Sequence, residues 1–397
     1  MCASPVLYWY FQTMNLSRRH FLGSLALPAF AAKPAGDQPN IVLVLADGLP
    51  AGMLGCYGNK EVHTPNIDLL AQRGTRFLNH FACAPVPSVS RATLLSGCTP
   101  MQLKSAGDTL DKILGGVGYT CQTVTGGAEA GKFLEAQSAG KPFLLIAGFA
   151  PYQAAPDAKY LAPFAQVKFD TLAQEPAAKN AARNREMMGR DDLMANLRKM
   201  AAATTAFDDQ IGALTAAIAQ KRLADRTLFV FTSTCGSLLS GHGLWGDGEA
   251  SDPINMYDEV INTPMLWTWP GRVPPLAVRP EMVSGADLVP SLCVLTGADL
   301  PGRNLSGRAY TPLATGSPLP RKQPWKTTVF ALYRNTAMAR IERYTLIVRD
   351  EGKGPGELYD NKQDPKERVN QYDNPQFLTV KTSLGAELAK WKRDYSA

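Results

Sequence analysis

One stretch of the sequence carries the residue types best suited to chemistry, APVPSVSRATLLSG at positions 84–97. Two prolines and small residues precede a hydroxyl, an arginine and an apolar run that stops at Gly97, which predicts a short helix beginning near Ser90. The free N–H groups of a helix start favour an anion, and Arg91 in the first turn adds a forked, permanently charged donor. The stretch is therefore either an anion-binding helix terminus or a capped helix with a solvated arginine.

Several short apolar runs are spaced like the strands of an α/β protein. The run Ile41–Ala46 is continuous and rich in β-branched residues, which is typical of a strand buried on both faces of a parallel sheet. Asp47 follows directly, at the strand end where such sheets bind ligands, so it is either a ligand-binding residue or a turn residue. Further strands are predicted at Cys121–Val124, Phe143–Ala147 and Leu228–Thr232, and helices at Asp108–Leu114, Phe133–Gln137, Arg190–Gln220 and Asp287–Leu295.

The C-terminal part has a different pattern. Thr327–Tyr333 and Thr336–Val348 alternate as exposed antiparallel strands do, and Phe377–Trp391 has the periodicity of an amphipathic helix. The preceding segment Pro312–Pro324 is rich in proline, glycine and basic residues and is predicted to be a linker. We therefore expect a large α/β domain over residues 39–312 and a small sheet-and-helix subdomain over residues 325–397.

Composition and charge narrow the class of protein. Of the 397 residues, 45% are hydrophobic and 19% are charged, as in an ordinary soluble globular protein. The formal net charge of +6 is spread without long basic runs, which argues against nucleic-acid binding. The seven cysteines include no Cys-x-x-Cys pair, so a zinc cluster or redox pair is not indicated. We expect buried free thiols, with a bridge from Cys98 to Cys83 or Cys121 as the alternative.

Residues 1–32 have the features of an export signal. Arg18 and Arg19 precede an apolar run from Leu22 to Phe30 and small residues suited to cleavage, which resembles a twin-arginine signal. The apolar run is too short to span a bilayer, so we expect the segment to be removed and the protein to be periplasmic or extracellular. Met14 is an alternative start to Met1. An ordinary basic and apolar N-terminal helix is the other interpretation.

Motifs along most of the chain resemble those of one family. They are, in chain order, PNIVLVLADG at 39–48, LGCYGN at 54–59, TPNIDLL at 64–70, TLFVFTS at 227–233, GHGLWG at 241–246, ELYD at 357–360 and DPKE at 364–367. In this order and with these gaps, the chain resembles the sulfatase family of the alkaline-phosphatase-like superfamily. The resemblance implies a large three-layer α/β/α domain with a mostly parallel central sheet and a small C-terminal α+β domain with an antiparallel sheet. It also implies hydrolysis of sulfuric esters.

At the position of the family's nucleophile, this sequence has a proline. The family signature is a cysteine or serine, any residue, proline, any residue and arginine, followed by an apolar helix that ends in Thr-Gly-Arg. Counting from Arg91 places Pro87 at the nucleophile, Val89 at the signature proline and Cys98 at the final arginine. Sulfatases convert the cysteine or serine to formylglycine, and proline has no side-chain oxygen or sulfur for that conversion. The resemblance therefore implies a weak or inactive sulfatase.

The family's calcium ligands are also mostly replaced. Sulfatases hold the ion with two adjacent aspartates after the first strand and an Asp-Asn or Asp-His pair after a later strand. Asp47 remains here, but Gly48, Thr234 and Cys235 occupy the other three positions. Calcium prefers about six to eight oxygen ligands, mostly from carboxylates. We therefore expect no cofactor, and in particular no bound calcium.

Three other family positions are changed. The family's lysine after Leu-Trp-Gly is Asp247 here, an anion that would repel sulfate. The family histidine expected shortly after the strand Phe143–Ile146 falls at Tyr152 or Gln153, and a second lysine falls near Gly126 or Gly127. These changes weaken the implied sulfate site further.

Arg91 and His242 are the remaining candidate catalytic residues. The resemblance places His242 against the oxygen of the leaving group. A histidine between two glycines is by itself mobile and reachable, so His242 either lines the pocket or lies on the surface.

Three functions are consistent with these residues. The first is an exported, weak or inactive sulfatase-family protein that binds a sulfated or phosphorylated small molecule or glycan through Arg91, His242 and the helix start. The second is an active sulfate or phosphate ester hydrolase that uses Ser88 or Ser90, as alkaline phosphatases use an unmodified serine next to a metal. The third is a purely structural role in the envelope.

Overall fold

The computed structural model describes residues 38–138, 140–189, 192–319 and 324–396. The strands in chain order are β1 (Asn40–Ala46), β2 (Thr75–Phe81), β3 (Thr120–Thr125), β4 (Phe143–Phe149), β5 (Thr227–Ser233), β6 (Leu238–Leu239), β7 (Trp245–Gly246), β8 (Asn262–Thr268), β9 (Ala277–Ser284), β10 (Val329–Tyr333), β11 (Thr336–Arg340), β12 (Tyr344–Arg349) and β13 (Glu357–Asp360). The α-helices are α1 (Pro65–Gln72), α2 (Pro87–Ser96), α3 (Leu110–Gly116), α4 (Gly126–Glu135), α5 (Ala158–Leu161), α6 (Leu193–Gln220), α7 (Asp258–Ile261), α8 (Leu288–Thr296), α9 (Thr311–Thr315) and α10 (Leu378–Asp394).

The main sheet has seven strands in the order β3-β4-β1-β5-β8-β2-β9. Strand β8 runs antiparallel to both of its neighbours, and the other pairings are parallel. Every residue of β1, β4 and β5 is buried, because helices cover both faces of these central strands. The carboxyl ends of β1, β4 and β5 therefore meet at one edge of the sheet.

Helices cover the two faces of this sheet and form separate apolar cores. Alternate residues of a strand point to opposite faces, and Val42 and Val44 contact the core that includes α1, α4 and α6. Ile41, Leu43 and Leu45 contact the core that includes α2, α3 and α8. The expected three-layer α/β/α fold with a mostly parallel sheet is confirmed.

The C-terminal sheet is antiparallel, with the strand order β10-β11-β12-β13. Helix α10 covers one face, where Leu388 and Trp391 pack with Ala337 and Ala339. The other face shares a core with the large sheet, in which Met338 and Ile347 pack with Phe81 and Met282 of β2 and β9. The expected small antiparallel sheet with a closing helix is confirmed, and it packs directly on the larger layer structure.

Element positions differ from expectation in a few places. Helix α2 begins at Pro87 rather than near Ser90, because a proline fits the first helical position, where its missing N–H is not needed. The expected linker from Pro312 begins inside helix α9, and residues 320–323 of it lie outside the described residues. The domain limits 39–312 and 325–397 stay predictions.

The predicted export signal, residues 1–32, lies outside the described residues. No helix in the described ranges has both the length and the apolar character needed to cross a membrane. All six cysteines in these ranges are free thiols; four of them are buried, whereas Cys56 and Cys121 are partly exposed.

Candidate functional site

A cleft of about 400 Å³ opens where the carboxyl ends of the central strands meet. Asp47 follows β1, and Ala150 follows β4 in the same wall. The first residue of helix α2, Pro87, lines the cleft beside them, and Asp247 and Arg183 line it from later loops. The strand edge and helix α2 thus bring together residues that are far apart in the sequence.

Asp47 is held at the strand edge by three elements. Its backbone N–H donates to the carbonyl of Phe149 at 2.8 Å, which continues the parallel pairing of β1 with β4. Arg91 of α2 donates from Nη2 to both carboxylate oxygens at 2.8 Å. Thr234, which follows β5, donates its hydroxyl to Oδ1, also at 2.8 Å. The carboxylate is therefore neutralised and hydrogen-bonded before any ligand arrives.

Gly148 makes room for the guanidinium of Arg91. A Cβ atom at Gly148, in β4, would come within 2.9 Å of Arg91 Nη1. A side chain here would displace Arg91 from Asp47. The Arg91 side chain is 30% exposed and that of Asp47 is 26% exposed, so the pair is partly open to water.

The first turn of helix α2 begins at the cleft, where Pro87 is a lining residue. The preceding residue, Val86, is extended and provides no side-chain cap. The N–H groups of Ser88 and Val89 lie in the first turn, where a helix has no carbonyl partner for them. The helix start therefore offers two amide donors beside a side chain that has no reactive atom.

Two family models match the chain. The model described as Sulfatase matches residues 39–124 and 119–298, and the model described as N-sulphoglucosamine sulphohydrolase, C-terminal, matches residues 249–394. The chain belongs to the sulfatase family. Human arylsulfatase A is 27% identical over 369 residues, which cover 74% of this chain and 71% of that protein. The mouse steryl-sulfatase matches more locally, at 46% identity over 76 residues and 12% of its length.

Solved structures share the fold of this chain. A protein in complex with its substrate D-glucosamine-2-N,6-O-disulfate has a TM-score of 0.77 at 19% identity, covering 90% of this chain and 98% of that one. The phosphonate monoester hydrolase of Agrobacterium radiobacter has a TM-score of 0.74 at 19% identity, covering 90% and 96%. At these identities the likeness establishes the fold.

His242 of this sulfatase-family chain is not among the residues that line the cleft. Its ring stacks on Tyr257 with 3.6 Å between ring centroids and 8° between ring planes, and its side chain is 8% exposed. Burial and the nearby cation Arg368 lower the pKa of His242 to about 3, so the ring is neutral at pH 7. This corrects the expectation of a mobile, reachable imidazole, which Tyr257 prevents by packing against it. A role of His242 beside a leaving group stays a prediction that this geometry does not support.

The residues at the expected calcium site do not fit calcium. Asp47 supplies the one carboxylate, and its oxygens already accept from Arg91 and Thr234. Gly48 supplies no side chain, and the thiol of Cys235 is fully buried with its pKa raised well above the ordinary value, chiefly by burial. A single carboxylate and a protonated soft sulfur leave the hard cation short of oxygen ligands. The expected absence of calcium stays a prediction, and this donor set supports it.

Two further substituted family positions lie in the wall of the cleft. Asp247 lines it and accepts the N–H of Glu249 at 2.9 Å, and burial together with the charge of Glu249 raises the Asp247 pKa. Tyr152 and Gln153 line it as well, with the Tyr152 hydroxyl 3.2 Å from the Thr204 hydroxyl. The structure thus brings both candidates for the family's histidine position into the site, and neither is a proton donor or acceptor suited to pH 7.

Ser88 and Ser90, the alternative nucleophiles, do not line the cleft. Ser90 is fully buried in α2, and its hydroxyl has no hydrogen-bond partner. Ser88 is exposed on the first turn of the helix. Burial therefore argues against Ser90 as the nucleophile. Ser88 faces solvent and is not part of the cleft wall.

Sequence reasoning missed Ser237 and Arg183 as lining residues. Ser237 follows β5 by four positions, and a Cβ atom at Gly48 would come within 3.0 Å of its hydroxyl oxygen. Because Ser237 follows a predicted strand, its position in the sequence could have indicated that it lies near the site. Arg183 belongs to a long irregular segment, in which no periodicity indicated its position.

Proposed function

We propose that this chain binds a sulfated or phosphorylated ligand in the cleft beside Asp47 and hydrolyses its ester weakly or not at all. The observation that carries the proposal is the position of Pro87. It is the first residue of helix α2 and lines the cleft together with Asp47. Its ring has no atom that can attack sulfur or be matured to an aldehyde.

Loss of the nucleophile alone is enough to account for inactivity. In other covalent enzymes, removal of the nucleophile lowers kcat by about a million-fold, and losing further members of the same unit adds little. The replaced calcium ligands and the buried His242 would impair the same chemical step. They therefore add little to the loss of rate that Pro87 already causes.

Another hydroxyl in the cleft would need activation. Ser237 carries the only aliphatic hydroxyl among the described residues that line the cleft. An unactivated serine is a weak nucleophile and needs a base or a metal beside it. The Asp47 carboxylate is already occupied by Arg91 and Thr234, and His242 stacks on Tyr257 away from the cleft wall. Asp247, which accepts the N–H of Glu249, is the carboxylate left in the cleft that could serve Ser237 as a base.

The open, polar cleft favours ligand binding over a purely structural role. A filled apolar crevice would suit a scaffold, whereas this space of about 400 Å³ is lined by Asp47, Arg183 and Pro87, the first residue of α2. Arg91 is not itself a lining residue and reaches the cleft wall through its pair with Asp47. Helix amides and a guanidinium suit a tetrahedral oxyanion. Asp247 opposes such an anion, so we expect modest affinity.

The ligand has room to extend beyond one anion. A concavity of about 630 Å³ shares Ala150 and Gln153 with the cleft and continues along α6 to Asp209 and Gln210. Its wall combines alanines and prolines with polar and charged side chains, among them Asp157, Lys159 and Asp209. This surface suits the uncharged part of a sugar better than a second phosphate.

Titration calorimetry with the full chain tests the binding. Inorganic sulfate, p-nitrophenyl phosphate and glucosamine 6-sulfate are the probes, and we expect heat with at least the sulfated sugar. Arg91→Gln should abolish that heat, whereas Arg73→Gln, an exposed arginine at the end of α1, should leave it unchanged. No heat from any probe at millimolar concentration would overturn the binding proposal.

A further inference from the structure

We propose that the rim of this cleft holds a second anion-binding subsite, made by Arg183 and Arg334, so that the preferred ligand carries two anionic groups. This inference rests on the proposed function and extends it to the class of ligand. Arg183 lines the cleft, and Arg334 is brought to the same place by the C-terminal sheet. The second group is a sulfate, phosphate or carboxylate.

A single carboxylate, Glu249, holds the two arginines together. Arg183 Nη1 lies 2.5 Å from Glu249 Oε2, and Arg334 Nη2 lies 2.7 Å from Oε1. The hydroxyl of Tyr333 donates to Oε1 at 2.9 Å. Both guanidinium groups are thus fixed on one acceptor, which keeps them within a few ångströms of each other.

One carboxylate compensates the two arginines only in part. Two guanidinium groups share Glu249, and the nearby Asp247 carboxylate lowers the remaining positive charge further. The Glu249 side chain is 13% exposed, whereas those of Arg183 and Arg334 are 58% and 62% exposed. The anion is therefore buried beneath the pair, and the cations keep most of their N–H donors free for an incoming group.

Backbone and ring contacts place the two arginines before a ligand binds. Arg334 occupies the turn between β10 and β11 with a φ of 52°, and its guanidinium lies 5.0 Å from the centroid of the Tyr333 ring. The neighbour of Arg183, Ala182, donates its N–H to the carbonyl of Ala250 at 2.8 Å. Because the two side chains are already held in place, less conformational entropy is lost when a ligand binds to them.

The other charged group facing this rim is Asp247. It lines the cleft with Arg183, and Arg183 interacts with it electrostatically. Asp47 and Asp247 both line the cleft with Arg183, so the exposed guanidinium groups that remain for a second anion are those of Arg183 and Arg334. A ligand whose second anionic group reaches these two arginines matches this arrangement.

The simplest alternative is a surface ion-pair network without a ligand. The test compares two probes, glucosamine 6-sulfate and D-glucosamine-2-N,6-O-disulfate, by titration calorimetry on the full chain. We expect the disulfate to bind about tenfold more tightly than the monosulfate, as fits one additional charge-assisted contact. Arg334→Gln should remove most of that difference and leave the affinity for the monosulfate unchanged, because Arg334 is not among the residues that line the cleft. Arg183→Gln should also remove most of the difference.

Matched controls separate this result from loss of folding. Arg343→Gln removes an arginine of the same sheet that pairs with Asp360 at 2.7 Å, and it should change neither affinity. Arg334→Lys keeps the charge without the fork and should retain part of the difference. Thermal melting of each variant reports on folding independently.

Each outcome decides between the proposals. Equal binding of the two probes, or a preference for the disulfate that survives both arginine variants, overturns the rim subsite while monosulfate binding upholds the proposed function. Failure of both probes to bind overturns the proposed function and the subsite with it.

Discussion

Arg91 donates from one nitrogen, Nη2, to both carboxylate oxygens of Asp47 at 2.8 Å. This contact gives the remaining acidic residue of the expected calcium site an internal cation. A guanidinium is permanently charged and supplies its own donors, so the carboxylate is satisfied without a metal ion. The same contact fixes helix α2 against the end of β1, which sets the position of Pro87 in the cleft.

Calcium should not stabilise this protein. A metal that binds the folded state at a concentration of a hundred times its Kd adds about 2.7 kcal/mol to the free energy of unfolding. We expect the same melting temperature in millimolar calcium and in EDTA, because the donors around Asp47 are too few. A rise of several degrees with calcium, lost in Asp47→Asn, would show that a metal site exists after all.

Removing the charge of Asp47 should strengthen anion binding. Asp47→Asn leaves Arg91 with an uncompensated charge near the amides of α2, so sulfate should bind several-fold more tightly by calorimetry. The cost in stability should be about 1 kcal/mol or less, because the pair is partly exposed and screened by water. Asp108→Asn, in an exposed pair with Lys112, serves as the control and should alter neither quantity. Weaker sulfate binding in Asp47→Asn would argue that Asp47 positions Arg91 for the ligand.

Sulfate affinity should rise as the pH falls from neutral. Burial and the charge of Glu249 raise the pKa of Asp247, so this carboxylate takes up a proton at a higher pH than usual and stops repelling an anion. Sulfate remains ionised throughout, which makes it a better probe than phosphate. Asp247→Asn should bind sulfate up to about tenfold more tightly at pH 7 and should lose the pH dependence. A wild-type affinity that falls on acidification would contradict this assignment.

The sequence predicted the layers of the fold because each strand and helix has a local signal. Ile41–Ala46 is a continuous apolar run, and the stripe that includes Phe207 and Ile211 in α6 has the helical period. The contact between Asp47 and Arg91 was not predictable, since it depends on the angle between α2 and β1. The packing of His242 on Tyr257 was missed for the same reason, because stacking across a loop leaves no periodic trace.

Stability should decline below pH 6.5 through two buried histidines. Burial lowers the pKa of His80, and that of His242, from 6.5 to about 3. Between these values the unfolded chain binds protons that the folded chain does not, so the free energy of unfolding falls as the pH decreases. At pH 5 the loss is about 2 kcal/mol for each histidine.

Urea midpoints measured across this pH range check the histidine effect. His80→Asn should reduce the slope of stability against pH, and His63→Asn, at an exposed histidine, should leave the slope as it is. A pH-independent midpoint between pH 7 and pH 5 would contradict the neutral, buried state of His80.

Release of nitrophenol from p-nitrophenyl sulfate tests the central claim most directly. The full chain, purified from a host that matures sulfatases to formylglycine, should release nitrophenol no faster than buffer alone, and Pro87→Ala should behave identically. Turnover above the blank that disappears in Ser237→Ala or Ser88→Ala would contradict the account, because it would show that another side chain performs the attack that Pro87 cannot.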